Sequence, residues 1–431
     1  MAIVKPFCAF RPAPMYASRV AALPYDVYSR KEAREAVKDN PLSFLNIDRP
    51  ETQFDESADM YAEEVYAKAA SLLKEQIQNQ IYRKDTEPGY YIYELTMDGR
   101  TQTGIVACCS IDDYLNQVIR KHENTREEKE QDRIRHVDVL NMHTGPIFLA
   151  YRSDPAVSAV IAQVKSYPPV YRFTSEDGIC HAVWRISGPD QVTALEQAFA
   201  HIPNTYIADG HHRAASAVKV GLKRRREHPD YTGEEAFNYF LSVLFPDDQL
   251  MILPYNRVVR DLNGLSEEEF LARAAEAFTV QDSPVPIQPE EKGTFGMYLN
   301  HTWYQLTIKP EYVSQDPVEG LDVSLLQNHL LAPILGILEP RTDDRIDFVG
   351  GIRGLKELVH RADTDMTVAF SLYPTSIREL FAVADAGLLM PPKSTWFEPK
   401  LRSGLFLHAI GDDIGDASGN DTGDASVSAV E

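Results

Sequence analysis

The chain has 431 residues, 44% of them hydrophobic and 25% charged, an ordinary globular composition long enough for two domains or one large, elaborated one. A formal net charge of -21 repels nucleic-acid backbones and anionic membranes, so neither is expected as a partner. Four cysteines with no CxxC spacing argue against a disulfide framework, no apolar run reaches the roughly 20 residues of a bilayer span, and Met1–Arg11 lacks a signal-peptide pattern; a reducing cytoplasm is the expected location.

In chain order, the first β-type run is Ile3–Phe10, followed by a proline-turn cluster, Arg11-Pro12 and Pro24-Tyr25-Asp26. Turn formation alone favours an acid at Asp26. Apolar residues at a spacing of four (Tyr61, Val65, Ala69, Leu73, Ile77) predict a helix over Ser57–Gln80. Gly89–Thr96 and Thr103–Ser110 read as strands, joined into a hairpin by the Asp98-Gly99 turn signal. Lys121-His122-Glu123 precedes a charged helix, Thr125 to about Arg135, whose Thr125…Glu128 spacing is that of a capping box. Residues on such a loop can present catalytic groups: Glu123 as a general base, Lys121 or His122 as phosphate contacts.

The central feature is Thr205–Ala208, a strand broken by Asp209-Gly210, after which His211-His212-Arg213 opens a helix running to about Glu227. A helix N-terminus presents unpaired N–H groups and partial positive charge to an anion. Gly210 permits close backbone approach, and Arg213 can fork onto phosphate oxygens. Asp209 can cap the helix, position Mg²⁺ or act as a base. Adjacent histidines on a helix point about 100° apart, which argues against a dedicated zinc site there. The Lys223–Arg226 run is read as a solvated helix end that complements the dipole.

Beyond Phe245-Pro246-Asp247-Asp248, where a soft boundary falls, Leu250–Val259 reads as one strand and Ser266–Ala277 as a helix. Thr279–Lys292 reads as a surface loop or a domain seam, and Leu321–Leu335 and Thr375–Ala386 as helices. Phe348–Arg353 contains a Gly-Gly turn, a weak phosphate-loop candidate, and the loop Pro391–Lys400 offers Lys393, Ser394 and Thr395 to an anion. Residues 411–431 have the composition of a disordered tail. No GxxxxGK[ST] or GxGxxG pattern occurs, so phosphoryl transfer here would not use a Walker, kinase or Rossmann loop.

Asp209-Gly210-His211-His212-Arg213 resembles the phosphate-binding motif of archaeal free-serine kinases, whose superfamily includes ParB nucleotide-binding domains and sulfiredoxins. More broadly the chain is similar, from Val4 to Phe406, to a bacterial family of unknown function. That likeness rests on Leu23-Pro24-Tyr25-Asp26-Val27, Lys121-His122-Glu123-Asn124-Thr125, Gly145-Pro146-Ile147-Phe148, the central motif and Pro392-Lys393-Ser394-Thr395. The resemblance implies an α/β (mixed α+β) fold, with a ParB/sulfiredoxin-like core over residues 1–245 and an α/β region over 246–410 completing the site. It implies phosphorylation of free L-serine from pyrophosphate or a nucleotide, with Mg²⁺. Glu123, Asp209, His211 and His212 are then the expected catalytic residues. Gly210, Arg213, Lys121, His122, Asp26, Lys393, Ser394 and Thr395 are the expected substrate contacts, and Asp209 the metal position. A nucleotide-binding regulator and a phosphohydrolase are the alternatives.

Overall fold

The computed structural model describes residues 1–125 and 127–411, so Arg126 and the tail from 412 onward lie outside the described residues. It is a mixed α/β structure built on two large sheets.

The first sheet has nine strands. Its path runs Ile119–Arg120, Thr205–Asp209, Ile147–Tyr151, Tyr239–Pro246, Arg100–Ser110, Tyr90–Met97, Cys180–Ile186, Tyr171–Thr174, with Val4–Lys5 added beside Arg100–Ser110. Two pairings are parallel, Ile119–Arg120 with Thr205–Asp209 and Ile147–Tyr151 with Tyr239–Pro246; the rest are antiparallel. The Asp98-Gly99 hairpin forms as expected, with φ of 50° and 78° at its two residues, the left-handed pair that a two-residue turn matched to strand twist requires. Side chains alternate along the central strands: Tyr90 and Ile92 pack beneath the helices Pro155–Lys165, Pro189–His201 and His211–Glu227, while Tyr91, Tyr93 and Leu95 face the other core. Both faces are covered, which explains why these strands are hydrophobic almost throughout. The cysteine pair Cys108-Cys109 sits in this sheet as buried free thiols.

The second sheet has six antiparallel strands in the order Phe278–Ser283, Thr302–Ile308, Thr294–Leu299, Val368–Leu372, Tyr255–Val259, Ile346–Gly350. The helix Gly354–Thr364 covers one face through Leu358. The chain leaves the nine-stranded sheet at Pro246 and comes back at its end. Phe10 and Leu407 exchange backbone hydrogen bonds, Ala22 pairs with Ser403, the Tyr82 hydroxyl donates to the Gly404 carbonyl, and Phe406 packs on Tyr91 and Tyr93.

Several sequence expectations need correction. The long helix starts at Glu63, not near Ser57, and Tyr61 is 56% exposed, so its place in the four-residue series is coincidental. Leu250–Val259 is two strands: Pro254 lacks an N–H, and Met251–Leu253 pairs with Trp396–Glu398 while Tyr255–Val259 joins the six-stranded sheet. Part of the expected loop 279–292 is the strand Phe278–Ser283. The helix at 321 is α only over Asp322–Leu326 and widens into a π-turn at Gln327–Leu331. Among the described residues no helix is long and apolar enough to cross a membrane.

The two bodies are clamped together. Asp385, at the end of the helix Ile377–Asp385, accepts from Arg120 Nη1, Arg152 Nη2 and the Tyr206 hydroxyl, each at 2.7 Å, and Tyr206 stacks on Phe381 at 3.8 Å. The Met390 N–H also donates to the His122 carbonyl at 2.8 Å.

Candidate functional site

The strand Thr205–Asp209 ends in a bulge. Ile207 pairs with Leu149 and Asp209 with Phe148, leaving Ala208 as an extra residue that re-aims the turn at Gly210. Gly210 adopts φ of 93°, a left-handed conformation that a Cβ would strain, and the helix His211–Glu227 begins at once. Gly210, not Asp209, is the N-cap, and it contributes no side-chain cap.

Asp209 and His211 open into a cleft of about 360 Å³ between the two bodies. Glu123 and Asp26 line the same wall. Parallel pairing of Thr205 with Ile119 and Tyr206 with Arg120 makes both strands exit on one side, which delivers Glu123 beside His211. Asp26 lies in a 3-10 turn, Tyr25–Val27, that is held from behind: Arg49 Nη1 donates to the Tyr25 and Tyr28 carbonyls, and the Arg133 guanidinium stacks on Tyr25 at 4.0 Å. The helix after Glu123 begins at Glu127 and is fastened to the motif helix through buried Glu130, which pairs with Lys219 and accepts from Thr125. The expected Thr125–Glu128 capping box cannot be placed at the helix start, because Arg126, the residue before Glu127, lies outside the described residues.

The opposite wall comes from the second body and is basic. Lys393, Lys400, Arg353 and Arg361 line it, together with Tyr255, Trp396 and the carboxylates Asp347 and Glu357. Arg353, Glu357 and Arg361 recur every four residues, so they form one stripe along the length of the helix Gly354–Thr364. Lys400 Nζ sits 4.6 Å over the Trp396 ring and 3.7 Å from Asp209 Oδ2. Lys393 stands over Tyr255; burial works against its charge, but Tyr255, Glu123 and Asp26 outweigh that and raise its pKa, so it stays cationic. Buried Arg257 donates to the Lys393 carbonyl at 3.1 Å and props this loop.

Burial raises the Asp209 carboxyl, but Lys400 and Arg213 outweigh it and hold the group well below the usual range, so it is ionised. Burial pushes His122 down to about 4 and His211 well below its ordinary value, so both imidazoles are neutral at pH 7.

The remaining expected residues divide between the cleft and its surroundings. Thr395 lines the cleft, its hydroxyl 3.5 Å from His122 Nε2. His122 is buried directly behind Glu123 and His211, and His212 is half-buried, within the electrostatic reach of Asp26 and Lys393. Lys121 is exposed and does not line the cleft. The Ser394 hydroxyl turns inward to the Pro391 carbonyl. Arg213 also points away: its Nη1 donates to the Pro146 carbonyl at 2.6 Å and its Nη2 lies 3.6 Å from Asp209, so it steadies Asp209 from behind. The Gly350-Gly351 pair is explained by packing, since added Cβ atoms would meet Trp396 at 2.9 Å and Pro254 at 2.7 Å. Sequence reasoning missed Arg361, Glu357 and Tyr255; the four-residue spacing from Arg353 was the available signal.

Oxygen donors suited to a hard cation are present in Asp26, Glu123 and Asp209. Nitrogen donors are present too: His122, Glu123 and His211 each bring a ligating atom to within 4.8 Å of the others.

Among solved structures, a free serine kinase mutant in complex with ADP aligns at 13% identity and a TM-score of 0.36, over 70% of this chain and 93% of the other. A conserved hypothetical protein from Pyrococcus furiosus aligns at 15% and 0.34, over 70% and 93%. SbnI from Staphylococcus aureus, truncated at its C-terminus, aligns at 12% and 0.34, over 69% and 85%. Likeness this loose carries no argument about chemistry. No curated protein matches the chain. The family model described as protein of unknown function (DUF1015) matches residues 4–324, well over half of the sequence, and the chain belongs to that family.

Proposed function

We propose that this protein is a phosphotransferase that moves a phosphoryl group from pyrophosphate, or from a nucleotide, to the hydroxyl of free L-serine. The observation that carries the reading is the polarity of the cleft: carboxylates Asp26, Glu123 and Asp209 on one wall face Lys393, Lys400, Arg353 and Arg361 on the other, where Asp347 pairs with Arg361 and Glu357 with Arg353. Phosphoryl transfer calls mainly for charge neutralisation and in-line positioning. The basic wall and the helix start at Gly210 are suited to the donor's oxygens. In this reading Glu123 orients and deprotonates the acceptor hydroxyl, and Asp26 attracts an ammonium group. Mg²⁺ enters with the donor as its usual counterion, and Asp26 and Asp209 supply oxygen atoms that fit it. A cleft of about 360 Å³ lies at the small end of the roughly 300–1,000 Å³ span of ligand sites, which favours small substrates. In this reading the strand–bulge–helix around Asp209 is a ParB/sulfiredoxin-like phosphate-binding core.

The test is direct. The purified chain is incubated with Mg²⁺, L-serine and pyrophosphate, ADP or ATP, and O-phospho-L-serine is followed by mass spectrometry and ³¹P NMR. Product is expected with at least one donor and its loss in Glu123→Gln. Phosphate release without serine dependence makes the protein a hydrolase, and no turnover with any donor overturns the reading.

A further inference from the structure

His122 and His211 are 2% and 7% exposed, their rings meet edge to face at 4.5 Å, and His122 Nδ1 and His211 Nε2 are buried without a hydrogen-bond partner. Leaving buried imidazole nitrogens unmatched is costly. By contrast, His136 bonds the Ile47 carbonyl, and His181 bonds Tyr93 and Ser175. His143, also unpartnered, borders an internal cavity of about 30 Å³, room enough for water. The His122–His211 pair has a carboxylate beside it instead. Glu123 completes a set whose donor atoms span no more than 4.8 Å. Bonds of about 2.0–2.2 Å put neighbouring tetrahedral donors roughly 3.4 Å apart, so side-chain rotation of the order of 1 Å closes the set around one ion.

We propose that His122, Glu123 and His211 form a binding site for a first-row divalent transition cation of the Zn²⁺ class. Two imidazoles and one carboxylate favour such an ion over Mg²⁺, which prefers all-oxygen surroundings. Three protein ligands leave a coordination position open, and Glu123 and His211 both line the cleft. An ion there acidifies a bound hydroxyl or water. The site stands on its own geometry and does not require the phosphotransfer reading.

The full chain, freed of metal by chelator dialysis, is titrated with Zn²⁺ by calorimetry and with Co²⁺ by visible absorption. One equivalent is expected, with a Co²⁺ ligand-field band and no sulfur charge-transfer band. Glu123→Gln should weaken binding at least about 10-fold, and His211→Ala should remove it. Circular dichroism and thermal melting check both variants, and the half-buried Glu123→Gln carries the test if His211→Ala fails to fold. Absence of stoichiometric binding, or binding indifferent to Glu123→Gln, overturns the site. Phosphotransfer with Mg²⁺ alone is scored separately, so either proposal can fail without the other.

Discussion

Removing the Asp385 carboxylate should loosen one wall of the cleft from the other. Asp385→Ala deletes three contacts at 2.7 Å, from Arg120, Arg152 and Tyr206. The arginines are 26% and 51% exposed and rehydrate readily, so each pair is worth about 0.2–1 kcal/mol. Tyr206 is fully buried, and losing its bond to a charged acceptor costs about 1.5–3 kcal/mol. The total is about 2–5 kcal/mol, concentrated where the helix Ile377–Asp385 meets the first sheet. Hydrogen exchange should therefore accelerate across 377–385 and 119–123 while the strands Tyr90–Met97 and Arg100–Ser110 stay protected. In the phosphotransfer assay KM for the donor should rise more than kcat falls, because the basic wall is displaced and Glu123 is not removed. Unchanged exchange at 377–385, or a purely global loss of stability, would refute the clamp.

Three further outcomes are expected. Burial pushes buried Asp322 up to about 7, against the Gly293 N–H and Lys292 that lower it. The folded chain then holds a proton the unfolded chain releases, so this group's stability contribution falls as pH rises from about 4 to 7. Asp322→Asn should be near neutral in urea melts at pH 4 and stabilising by up to about 4 kcal/mol at pH 8. Gly210→Ala, forced into φ of 93° with its Cβ 3.1 Å from the Arg213 guanidinium, should cost at least about 1–2 kcal/mol in urea melts and reduce kcat. Lys400→Met should weaken pyrophosphate binding about 10-fold or more by calorimetry. It should also raise the Asp209 carboxyl and so move any acid limb of the pH–rate profile upward.

The first wall of the cleft was readable in the sequence because it is built locally. A strand, a glycine break and a basic helix start are contiguous at 205–213, and Glu123 stands just before a charged helix. Asp209 could be offered as a cap on residue type alone, but the bulge at Ala208 that hands the cap to Gly210 depends on the partner strand. The second wall was readable only in part: Lys393, Thr395 and the turn before Arg353 stood out as anion candidates, while Arg361, Lys400 and Tyr255 reach the cleft because a separate sheet docks there. Arg213 shows the converse limit. Its residue type suits phosphate, yet the Pro146 carbonyl and Asp209 claim it.

The return of residues 401–410 to the N-terminal body has a consequence for biosynthesis. Phe10, Ala22 and Tyr82 are translated early but receive their partners, Leu407, Ser403 and Gly404, only at the end of the described chain. A growing polypeptide therefore carries an unfinished hydrophobic surface until residues 401–410 have left the ribosome, and contacts of such long sequence separation slow folding. Truncation before residue 400 should expose that surface in a remote part of the molecule, making chaperone dependence a matter of the first body as much as the last.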